Sequence, residues 1–190
     1  MGNARNLPLF EWGEALRAAR ARSRMLRRRA VLIGAGIAAL GLTLAFPPVP
    51  RLVWNHSASA QIGLYLVSPG ARAMPGDMVV AWPPEAARTL AARRHYLPSG
   101  VPLVKRVAGA AGDTICGHGD VVTIDGKPIA RRLAADRSGR PLPRWEGCVR
   151  LREGSYFLLM TLRPDSFDGR YFGVTQERDI LGKARPLWLP

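Results

Sequence analysis

Hydrophobic and polar positions along this chain fall into two regimes. From Ala30 to Phe46 no residue is charged, and the apolar character runs all round rather than along one stripe. A soluble surface helix of that length would keep a polar face. At about 1.5 Å of rise per residue, the run reaches the short end of what crosses roughly 30 Å of hydrocarbon. Beyond residue 50 the pattern changes to short apolar runs punctuated by glycine and proline. Gly63–Val67, Asp77–Trp82, Val101–Val107, Val121–Ile124 with Pro128-Ile129, and Tyr156–Leu162 read as strands. Asp125-Gly126 sits between two of them, and this dipeptide favours a two-residue hairpin with positive φ at both positions. Glu85 to Tyr96 is rich in alanine and arginine and reads as a helix or an ordered loop, while Arg131 to Trp145 is polar, proline-punctuated and hence a long loop. No internal repeat interrupts this order. The prediction is a mainly β protein, a folded-over antiparallel sheet or barrel behind one N-terminal transmembrane helix.

Charge orients that helix. The 190 residues carry a net charge of +14, with arginine far outnumbering the lysines Lys105, Lys127 and Lys183. Residues 1–29 concentrate arginine against only Glu11 and Glu14, and the cluster stops where the apolar run begins. By the positive-inside rule the N-terminus faces the cytoplasm. The expected organisation is a basic cytoplasmic segment at 1–29, an anchor at 30–48 and an exported domain at 49–190. Pro47, Pro48 and Pro50 end the helix, because proline lacks the amide donor and clashes with the preceding turn. A cleaved leader is the competing reading, since Ala58-Ser59-Ala60 fits a small-x-small cleavage pattern. The remaining arginines are dispersed without interleaved aromatics, so nucleic acid is not an expected partner.

Cys116 and Cys148 bracket the hairpin and the long loop, an insertion spanning 114–150. An oxidising compartment favours a bond between them, which would stabilise the fold by about 3–4 kcal/mol on the chain-entropy model. The alternative, a metal held by Cys116, His118 and Cys148, lacks a fourth ligand.

Lys105 stands out chemically. Strand alternation places it with Val101, Leu103 and Val107 on an apolar face and turns Arg106 to solvent. Desolvation disfavours the charged amine there and lowers its pKa from about 10.4, and a neutral amine can take a proton from a serine hydroxyl. The bland alternative is a lysine that snorkels its ammonium to water.

Four blocks carry a resemblance. They are Asn55 to Tyr65, containing Ser57-Ala58-Ser59 and Gly63-Leu64-Tyr65; Pro75-Gly76-Asp77-Met78-Val79-Val80; Leu103 to Asp113 around Lys105-Arg106-Val107; and Ser166-Phe167-Asp168-Gly169-Arg170-Tyr171-Phe172-Gly173. In this order, over about residues 40 to 185, the chain resembles the signal peptidase I superfamily, most closely conjugative-transfer signal peptidases of the TraF type. The resemblance implies a serine endopeptidase of the bacterial inner membrane with a periplasmic catalytic domain, cleaving an exported precursor such as a conjugative pilin precursor. It implies Ser59 as nucleophile and Lys105 as general base, with the Ser59 N–H and Ser57 as oxyanion donors. Ser166, Asp168 and Arg170 would be supporting residues. It implies no cofactor and no metal, and it admits other proteins of the conjugation apparatus as partners. Two positions depart from the family pattern, Gln61 and Ala111, where proline is frequent. A Ser59, His95, Asp168 triad and a non-catalytic, membrane-anchored docking or scaffold subunit are the competing readings.

Overall fold

The computed structural model describes residues 8–46 and 49–190. The chain divides into two compact units, residues 1–48 and 49–190. The first holds one helix, α1 (Pro8–Ala45). It begins well before the apolar run, because the preceding arginines, alanines, leucines and methionine all cost little in a helix. Pro8 opens it, where a missing amide donor matters least. Its most apolar 18-residue window has a mean hydropathy of 1.5, so it is long and apolar enough to cross a membrane. The expected stop at Pro47 and Pro48, and residues 1–7 of the basic segment, lie outside the described residues.

The second unit is built from antiparallel strands: β1 (Leu52–Asn55), β2 (Gly63–Ser68), β3 (Met78–Ala81), β4 (Leu103–Gly109), β5 (Thr114–His118), β6 (Val121–Ile124), β7 (Lys127–Arg131), β8 (Gly147–Arg150), β9 (Ser155–Leu158), β10 (Val174–Gln176) and β11 (Ile180–Trp188). Helices α2 (Glu85–Arg93) and α3 (Gly169–Phe172) interrupt them. One sheet runs β1-β2-β11-β3-β4-β9-β10 and a smaller one β7-β6-β5-β8. The expected class, mainly β with antiparallel sheets behind one N-terminal apolar helix, is therefore the observed one.

The large sheet is buried on both sides where β3 and β4 meet. Val79, Val80 and Ala81 pair with Lys105, Val104 and Leu103, and all six are buried. The strand β9 explains its unbroken apolar run in the same way. Tyr156 and Leu158 pack with Val79 and Val107, while Phe157 and Leu159 turn the other way onto Ile115 and Val122 of the small sheet. The run does not stay strand to its end: β9 stops at Leu158, and Leu162 is fully in solvent on the following loop. Asp125 (φ 49°) and Gly126 (φ 76°) turn the hairpin from β6 into β7 as expected.

Candidate active site

The segment between β1 and β2 is held from below by a single buried amide. Asn55, at the end of β1, donates through Nδ2 to the carbonyls of Ser57 (3.0 Å), Gln61 (2.9 Å) and Ala60 (3.3 Å). Its Oδ1 accepts from the Ser57 N–H at 3.1 Å. The Gln61 carbonyl also accepts from Tyr65 Oη at 2.8 Å. These bonds fix the loop without a proline at position 61. Ala60 is buried in the core, so the Ala58-Ser59-Ala60 stretch belongs to the folded unit rather than to an extended leader.

Across the loop stands β4. Lys105 is 2% exposed, and its Nζ lies 2.7 Å from Ser59 Oγ and 2.9 Å from Ser166 Oγ. Arg106 points to solvent, as alternation requires, with Nη1 on the Gly76 carbonyl. Burial brings the Lys105 amine down from its ordinary value to about 8; Asp168 draws it partly back, and the like charge of Arg170 pushes it lower again. Ser57 Oγ completes the group, 2.9 Å from Ser59 Oγ and 3.4 Å from the Ser59 amide nitrogen.

The loop after β9 braces this group. Asp168, fully buried, caps α3 by accepting from the Arg170 N–H at 3.2 Å. Its carboxylate also accepts from Arg170 Nε at 2.9 Å and Nη2 at 2.8 Å, and from the Met160 N–H at 3.1 Å. Arg170 spends its other protons on the carbonyls of Arg163 (2.6 Å), Met160 and Pro164 (3.1 Å each). Every charge in this staple has a partner, which a buried ion pair requires. Gly169 must lack a side chain here, since a Cβ would come within 2.7 Å of the Leu158 carbonyl.

Ser57, Ser59, Lys105 and Ser166 open into a cleft of about 440 Å³. Its far wall is the long loop after β7, with Leu133, Asp136 and Arg137 among the lining residues. Trp145 Nε1 donates to the Gly169 carbonyl at 3.0 Å, and the Leu133 N–H donates to Tyr171 Oη at 3.1 Å, so the loop is moored to α3. Cys116 and Cys148 are disulfide-bonded across β5 and β8. His118 Nε2 is 3.7 Å from Cys148 Sγ, but two sulfurs bonded to each other offer no thiolate to a metal. His95 is exposed at a positive-φ turn (58°), and the Asp168 carboxylate is taken up by Arg170. The structure therefore does not assemble the Ser59, His95, Asp168 triad.

Residues 24–189 match the family model described as signal peptidase, peptidase S26. The chain belongs to this signal peptidase family. Among curated relatives, a plasmid transfer protein TraF from Escherichia coli is 34% identical over 176 residues, covering 87% of this chain and 98% of that protein. A conjugal transfer protein TraF from Agrobacterium fabrum (strain C58 / ATCC 33970) is 33% identical, covering 86% of this chain and 98% of that protein. Signal peptidase I V from Bacillus subtilis (strain 168) is 32% identical, covering 45% of this chain and 56% of that protein. The expected resemblance to signal peptidases and to TraF proteins is thus confirmed.

Two residues of the site escaped the sequence reading. Asn55 opens the block that contains Ser59, and a short amide at a strand end is a weak signal for a loop clamp. Arg163 donates from Nε to the Ala58 carbonyl at 2.8 Å, a partner 105 positions away, and nothing local announces it.

Proposed function

We propose that this chain is a membrane-anchored serine endopeptidase of signal peptidase type, working through Ser59 and Lys105 on a conjugative pilin precursor. Neutral Lys105 takes the proton of Ser59 as Oγ attacks the scissile carbonyl carbon. The developing oxyanion is met by the Ser59 N–H and the Ser57 hydroxyl. As the C–N bond breaks, the Lys105 ammonium gives its proton to the leaving amine. Water then attacks the ester with Lys105 again as base, releasing the acid and restoring Ser59. Ser166 orients the amine, and the Asp168–Arg170 pair holds Ser166's loop. The observation that carries this reading is a buried amine 2.7 Å from a serine hydroxyl, with no other base in contact among the described residues. Substrate filling the cleft removes water and lowers the amine's pKa further.

The pilin precursor is what the resemblance to TraF-type signal peptidases implies, and the likeness to plasmid and conjugal transfer proteins supports a substrate from conjugation. An anchor with its arginine cluster on the cytoplasmic side would put residues 49–190 in the periplasm of a bacterial inner membrane. Next to the Ser59 loop, Leu52 and Trp54 of β1 and Trp188 of β11 are exposed on either side of β2, with the two indoles 5.7 Å apart. Such a mixed aromatic and apolar surface suits the headgroup region, where a membrane-bound precursor presents its cut site.

The test is to incubate the full chain in detergent with candidate prepilins and read product masses. Wild type should yield two fragments, while Ser59→Ala and Lys105→Met should yield none and remain folded. A docking or scaffold subunit would leave every precursor intact.

A further inference from the structure

Resting on that reading, we infer that Arg163 is a positioning residue that aims and polarises the oxyanion donor. Its Nε donates to the Ala58 carbonyl at 2.8 Å, and that carbonyl belongs to the same peptide unit as the Ser59 N–H. A cation hydrogen-bonded to the oxygen of an amide draws electron density through the C–N bond and makes the N–H at the other end a stronger donor. The bond also fixes the plane of that peptide, and with it the direction in which the N–H points. Asn55 holds the same loop by the carbonyls on either side of this unit, at Ser57, Ala60 and Gln61, but leaves the Ala58 carbonyl to Arg163.

Arg163 is itself held in place. Its own carbonyl accepts from Arg170 Nη2 at 2.6 Å and from the Ser166 N–H at 3.1 Å. The side chain lines the cleft and is exposed to solvent. Water therefore weakens the bond until substrate covers it; filling the cleft lowers the local dielectric and strengthens it. The polarisation is then greatest when the oxyanion forms. Arg163 is the one arginine among the four on the cleft wall, with Arg94, Arg137 and Arg140, that is not ion-paired to a carboxylate among the described residues.

The experiment combines turnover with a readout independent of it. In Arg163→Ala, kcat should fall about tenfold with KM nearly unchanged, less than the hundredfold or more lost when an oxyanion donor is removed outright. Arg163→Lys, which keeps a cationic donor, should fall between the two. Millimolar ethylguanidinium should restore part of the lost kcat in Arg163→Ala and none in Ser57→Ala. In ¹⁵N spectra of the full chain in micelles, the Ser59 amide should move upfield in Arg163→Ala while the thermal midpoint stays put. An unmoved Ser59 amide overturns the inference, as does a kcat within about twofold of wild type or a loss confined to KM. Should wild type cleave no precursor, the proteolytic reading fails, and the amide shift still decides whether Arg163 polarises the peptide.

Discussion

The two sheets of the folded unit solve the same problem by different means. In the large sheet, β3 and β4 are sandwiched, and the strands are held by burial: Val79, Val80, Ala81 and Val107 have no accessible surface. In the small sheet, Ile115 and Val122 supply a core, but all four residues of β8 are exposed and the strand is tied to β5 by the disulfide. Burial makes the large sheet able to carry a costly group, since a dry wall is what lowers Lys105. A covalent tie lets the small sheet carry a polar loop as a cleft wall with little apolar surface behind it. On the proposed reading, the large sheet carries the chemistry and the small one controls access.

The most severe way to break the contrast is at the buried staple. Asp168→Asn leaves Arg170 charged and without its carboxylate, and should cost about 3–5 kcal/mol. Urea unfolding should show the loss, together with abolished cleavage. Reducing the disulfide should cost somewhat less, about 3–4 kcal/mol on the chain-entropy model. Hydrogen exchange should then rise in β5 to β8 and hardly at all in β3 and β4; equal rises in both sheets would refute the division.

Lys105→Met sharpens the comparison in the opposite direction. A fall from 10.5 to about 8 means that keeping the amine charged in the fold costs roughly 3 kcal/mol below pH 8. Because the folded value is the lower one, the wild type gains stability as pH rises from about 8 to 10.5. Allowing for the bonds lost to Ser59 and Ser166, the variant should be about 1–2 kcal/mol more stable at pH 7. That advantage should vanish by pH 10, visible as converging thermal midpoints. Wild-type kcat/KM should rise through about pH 8 as the amine deprotonates. The smallest effect belongs to the loop surface: Arg137→Ala removes the exposed pair with Asp165 and should change stability by under about 0.5 kcal/mol.

What was legible in the sequence follows the same line. Lys105 could be read because its neighbours alternate on a strand, and Asp125-Gly126 because a turn is a local matter. The strand β11 was not legible, although it sits between β2 and β3. Lys183, Arg185 and Pro186 break its apolar pattern. Lys183 reaches Asp77 at 2.8 Å, and Pro186 lies past the stretch paired with β3, where its missing donor costs the ladder least. The strand β8, only Gly147-Cys148-Val149-Arg150, gives no hydrophobic periodicity because it is short and buries nothing. In the site, the serines that the structure brings to Lys105 are legible only as parts of family blocks, whereas Asn55 and Arg163 act on backbone carbonyls, which carry no side-chain signature.

The stretch from Met160 to Arg170 touches both groups of the proposed dyad, the amine through Ser166 and the alcohol's loop through Arg163. It acts as a caliper: one short stretch grips the β4 amine on one side and the Ser59 loop on the other, and so fixes the gap between them. The proposed proton transfer depends on that gap and not on where either atom sits in space.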